Sequence, residues 1–222
     1  MADQEEGSPK KRSIESLSDL IFGLALSIGA ITLIGQPPSD LQELLLSIVY
    51  YAFSFMILIS VWYSYTRTMS ELHIETSSLV NLNILLLFLV SIEPFLFDQL
   101  MHSNAPLVEY ISMVYALDLG GLFVIQALLA NSILTDKNKP EQILQSYKLR
   151  RNTLLISAAL FFISALPFFW SWSIPIISDA GITLGSILWL IPLTMPIIRR
   201  LWERKIKQPT NNRKTTQANL SI

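Results

Sequence analysis

Residues 17–34 read LSDLIFGLALSIGAITLI, an apolar run with one carboxylate near its start and a Gly35-Gln36-Pro37-Pro38 stop behind it. As a helix this run reaches about 27 Å at 1.5 Å per residue, close to the roughly 30 Å of bilayer hydrocarbon. It follows Lys10-Lys11-Arg12, as a secretory signal would. Its end is not a small-x-small cleavage site, however, so it reads as a retained span.

Five more apolar runs follow: Leu41 to Ser64, Leu79 to Leu100, Leu107 to Leu134, Thr153 to Trp172 and Ile174 to Ile198. None alternates with period two, and lipid does not tolerate open backbone, so helices are expected. The reading is an all-α polytopic membrane protein with six transmembrane helices and both termini cytoplasmic. Residues 1–12 form a disordered cytoplasmic N-terminus, 13–200 the transmembrane domain and 201–222 a basic cytoplasmic tail. Residues 139–147 read as a short amphipathic helix starting at Pro140, within a basic cytoplasmic segment from Lys137 to Arg151. Pro192 and Pro196 are expected to kink the sixth span.

Charge gives the orientation. All 16 lysines and arginines fall at the N-terminus, in alternate loops or at the C-terminus of this six-span pattern, and basic flanks mark the cytoplasmic side. Asp40, Glu43, Asp98, Glu109 and Asp179 lie on the other side. Only 15% of residues are charged, against about 25% in a soluble domain. The basic clusters adjoin spans and carry no recognition motif, so they set topology and touch anionic headgroups; nucleic acid is not an expected partner. The chain has no cysteine, which excludes disulfides and thiolate chemistry. Metal-ligand spacings, phosphate loops and nucleophile elbows are all missing, and His73 and His102 fall on opposite sides of the membrane. The expectation is a non-enzyme without cofactor or metal.

An ionisable group at membrane depth is expensive, so each one needs a partner or a function. Asp19, in Ser16-Leu17-Ser18-Asp19, serves either as a helix-start cap or as a functional carboxylate. Asp118 is the deepest acid, followed by Gly120-Gly121, with Asn83, Tyr115 and Ser112 as available donors. Glu93, before Pro94, either lines a mouth or ends a helix. In the first span, Leu24, Ser27, Ile28 and Ile31 share one face, while Gly23, Ser27 and Ala30 allow close helix approach. Two readings are open there: a buried packing helix, or a pore wall whose aliphatic rings gate by dewetting.

Two stretches resemble the family of transmembrane protein 175, the endolysosomal potassium channel, and its single-repeat bacterial and archaeal relatives. The family's first helix opens with Arg-x-x-x-Phe-Ser-Asp. Here Arg12 to Asp19 keep Ser18-Asp19, with leucine for phenylalanine and the arginine one residue earlier. The family then has Trp-x-x-His-x-Arg, followed by Leu-Asn, a leucine run and Leu-Pro-Phe. This chain keeps Trp62, Arg67, Asn83, Pro94 and Phe95, with Tyr65 in place of histidine and Glu93 in place of leucine.

The resemblance implies a homotetrameric potassium-permeable cation channel in which each subunit gives its first helix to a central pore. By position, Leu24 is the constriction and Ser27 the hydroxyl linked to potassium preference, while Ile28 and Ile31 extend the wall. Arg12, Ser18, Asp19, Trp62, Tyr65, Arg67 and Asn83 would brace the pore helix. Tyrosine for histidine removes a titratable group, and with it pH sensitivity through that position. Nothing in the chain looks like a carbonyl selectivity filter, so selectivity would rest on width and hydroxyls. The rivals are a proton-coupled carrier using Asp118 and Glu93, and a non-transporting membrane scaffold. A prokaryotic plasma membrane suits a short chain without targeting signals.

Overall fold

The computed structural model describes residues 9–35, 40–72, 76–104, 106–136 and 139–171, with 188, 189 and 191. The elements are α1 (Pro9–Gly35), α2 (Leu41–Glu71), α3 (Ser77–His102), α4 (Leu107–Leu134), α5 (Glu141–Ser164) and the single turn α6 (Phe168–Ser171). Proline sits at the start of α1 and just before α4, α5 and α6. It is well tolerated there, because a first-turn N–H has no intrahelical partner to lose. Pro94 is the exception, lying inside α3.

The long helices run up and down. Lys11 Nζ donates to the Ser70 carbonyl at 3.4 Å, and Lys139 Nζ reaches both the carbonyl and the carboxylate of Glu71 at 2.9 Å. The start of α1, the end of α2 and the start of α5 therefore share one basic end. At the opposite end of α3, His102 Nδ1 lies 3.1 Å from Asp98 Oδ1.

α4 is the central helix: 67% of its apolar window is buried, against 22% for α1 and α2. Its buried side runs through Tyr115, Leu119, Leu122, Leu129 and Ile133. In lipid, helices gain nothing from hiding apolar surface, so close contact through small residues has to hold them. Gly120 and Gly121 supply it. A methyl at Gly120 would stand 2.7 Å from the Phe162 ring of α5, and one at Gly121 would stand 3.0 Å from a Leu89 methyl of α3.

The six-span expectation is overturned. Among the described residues four helices are long and apolar enough to cross a membrane: Lys11–Ile31, Ser47–Glu71, Ser77–His102 and Leu107–Leu134. The fifth expected span, Thr153 to Trp172, is not a separate element. The basic cytoplasmic segment, with its short helix expected over 139–147, is continuous with it, so α5 carries Lys148, Arg150 and Arg151 within one helix. Only the part from Thr153 to Ser164 is apolar, about 18 Å of helix and short of the hydrocarbon thickness. Pro167 then separates it from α6. The sixth expected span, residues 174–198, lies outside the described residues apart from Leu188, Trp189 and Ile191, and the tail 201–222 lies wholly outside them.

Candidate functional site

Two faces of α1 behave oppositely. Ser18, Phe22, Ala25 and Gly29, spaced by four, three and four, are buried against the bundle. Phe22 meets the Tyr65 ring at 5.7 Å between centroids. The other face is bare: Leu20 is 69% exposed, Leu24 58%, Ile28 40% and Ile31 62%, and Ser27 is exposed among them. The Ser27 hydroxyl donates back to the Gly23 carbonyl at 2.8 Å. That bond uses its only proton, so the oxygen presents acceptor lone pairs.

A polar cluster at the root of this face ties α1 to α2 and α3. Trp62 Nε1 donates to Asp19 Oδ1 at 3.0 Å. Ser18 Oγ donates to the Ile14 carbonyl at 2.8 Å, so at the 2.7 Å contact with Tyr65 the phenol is the donor. The side chain of Asn83, buried on α3, also interacts with the Tyr65 hydroxyl. Five of the seven bracing residues named from sequence are thus brought together: Ser18, Asp19, Trp62, Tyr65 and Asn83. Arg12 is exposed on α1, and Arg67 is exposed on α2. Arg67 takes part through its carbonyl, which accepts from Tyr147 Oη at 2.8 Å. Asp19 lies more than two turns into α1 and is held by a side chain of another helix, so it does not cap the helix start.

The buried bond of this cluster is open to test. Tyr65→Phe removes one neutral buried hydrogen bond and is expected to cost about 1 kcal/mol. The thermal unfolding midpoint in detergent should fall accordingly; an unchanged midpoint would mean that the Ser18–Tyr65 contact holds nothing.

Two features were not foreseen. α5 is fastened to α2 at the level of this cluster. Arg150, buried, donates through Nη2 to the Ser64 carbonyl and to Ser64 Oγ at 2.9 Å, and stacks over the Tyr147 ring at 5.5 Å. Burial raises the Tyr147 hydroxyl above its ordinary pKa against the opposing pull of Arg150, so it remains a donor at neutral pH. The second feature is the placement of the acids. Glu93 is fully buried rather than at a mouth, and its Oε1 accepts from Ser54 Oγ and Tyr115 Oη, each at 2.8 Å. None of the three donors expected for Asp118 serves it. Ser112 bonds to the Val108 carbonyl, Tyr115 to Glu93, and Asn83 lies with Tyr65. Spacing along one helix showed which acids were deep, but not which neighbouring helix would face them.

The fold and this site define an all-α, multi-pass membrane protein whose first helix turns an apolar, hydroxyl-bearing face outward. Residues 13–94, which cover most of α1, all of α2 and α3 as far as Pro94, match the family model described as endosomal/lysosomal potassium channel TMEM175. This stretch, under half of the chain, is similar to that family, whose description is of a channel and not of an enzyme. The fold matches the crystal structure of a lysosomal potassium-selective channel TMEM175 homologue from Chamaesiphon minutus. The TM-score is 0.57 at 20% identity, over 85% of this chain and 97% of that one. No curated protein sequence matches the chain.

Proposed function

We propose that the protein is a potassium-permeable cation channel in which four copies each give α1 to the wall of a central pore. The observation that carries this is the bare α1 face. A helix packed tightly on one side presents Leu24, Ser27, Ile28 and Ile31 on the other, within the stretch that matches the channel family. Repeated around an axis, Leu24 gives an aliphatic ring that controls conduction by dewetting. Ser27, one turn further along, offers an oxygen to a partly dehydrated cation. With width and hydroxyls as its means, selectivity for potassium over sodium is modest. The polar cluster of Ser18, Asp19, Trp62, Tyr65 and Asn83 fixes the rotation of α1 about its own axis, and so fixes which residues face the pore. The membrane is the plasma membrane of a prokaryote.

Stoichiometry and flux test this together. The protein purified in mild detergent is expected to have the mass of four chains. In liposomes it should pass potassium rapidly, sodium less well and N-methylglucamine not at all. A monomer with slow, saturable flux coupled to a proton gradient would move the assignment to a carrier using Asp118 and Glu93. A protein that passes no ion would be a scaffold.

A further inference from the structure

Glu93 and Asp118 stand apart from the α1 face, in the core formed by α2, α3 and α4. Glu93 is 0% exposed and Asp118 6%. Ser54 and Tyr115 satisfy one oxygen of Glu93; its Oε2 and both oxygens of Asp118 have no hydrogen-bond partner. Tyr115, bonded to Glu93, stands one turn before Asp118 on the buried side of α4, so both carboxyls lie in the same part of the core. What faces them is Ser54 from α2 and Tyr115 from α4, with Trp189 closing over the Tyr115 ring at 5.1 Å. Among the described residues no lysine, arginine or histidine forms an ion pair with either acid. Asp118 also lines an apolar groove between α3 and α4, with Leu89, Ile92, Phe95, Leu96, Val114 and Leu117.

Two ionised carboxylates cannot persist in such a place. Leaving one buried charge unpaired costs several kcal/mol, and a second like charge beside it costs more. We propose that Glu93 and Asp118 form a proton-binding site in the helical core, with the proton reaching it from the groove side through Asp118. A proton on either acid neutralises it, which removes the cost of holding two like charges unpaired in the core. Glu93 stands where the resembling family carries leucine, so the site belongs to this chain's own sequence rather than to the family pattern. It does not depend on the pore assignment.

The test is infrared titration of the purified protein in liposomes, following the protonated-carboxyl stretch against pH with N-methylglucamine as the only bulk cation. At neutral pH the unaltered protein is expected to show a buried protonated-carboxyl band that Glu93→Gln and Asp118→Asn each reduce and the double variant removes. Interacting acids release protons in two separate steps, so each single variant should retain one. The proposal fails if the band is absent at neutral pH, or if the double variant retains it. It also fails if potassium or sodium abolishes the band at constant pH, which would make this a metal-cation site. Both substitutions keep side-chain shape. Should Glu93→Gln not fold, the reduction from two steps to one in Asp118→Asn decides alone.

Discussion

Leu24→Ala is expected to raise potassium flux through liposomes by about an order of magnitude and to reduce the preference over sodium. The substitution removes three carbons from each of four copies of a side chain that is 58% exposed on the outward face of α1. Apolar surface costs water roughly 0.8 kcal/mol per methylene, and a tenfold change in rate needs only about 1.4 kcal/mol off the barrier. Even a small part of the lost hydrophobicity, if it bears on a dewetted ring, therefore gives a tenfold effect. Leu85→Ala on α3 deletes the same atoms from a side chain that is also exposed, at 48%, and should leave the flux alone. An unchanged flux in Leu24→Ala, with the tetramer intact, would remove Leu24 from the constriction.

The second large effect concerns stability. Gly120→Val should lower stability by about 1–3 kcal/mol, the usual cost of forcing extra carbon into a packed contact. A single methyl at this position would already meet the Phe162 ring at 2.7 Å. Replacing glycine in a helix gains up to about 1 kcal/mol from backbone entropy, and the branched side chain gives part of that back. The clash therefore wins. Thermal unfolding in detergent should show the loss, and Gly120→Val combined with Phe162→Ala should recover much of it. If the double substitution is no better than the single one, the ring is not what Gly120 accommodates.

The four apolar helices were legible because a run such as Leu79 to Leu100 is long, unbroken and nearly free of charge. The boundary of α5 was not. Lys148, Arg150 and Arg151 look like a solvated loop when charge is read along the chain. A helix can nonetheless carry them when Lys148 stays exposed and Ser64 and Asn131 on neighbouring helices accept hydrogen bonds from Arg150 and Arg151. For the same reason the α1 face could be found from spacings of three and four, but only the fold showed it to be uncovered. The bracing cluster came from motif position. The bonding of Glu93 to Ser54 and Tyr115 depends on the register of three helices, and no local signal carries that register.

The attachment of α5 has a mechanical meaning. Tyr147 and Arg150 hold α2 at Arg67 and Ser64, and Trp62 and Tyr65, in the same stretch of α2, hold α1 at Asp19 and Ser18. The three helices are linked in series, like springs joined end to end, and the softest joint takes up most of any displacement. The Trp62–Asp19 bond is exposed, whereas the Ser18–Tyr65 bond beside it and the Arg150 side chain are buried. A pull on the aqueous end of α5 would thus travel through α2 to the root of α1, where the exposed Trp62–Asp19 bond is the first to yield and the buried Ser18–Tyr65 bond the last.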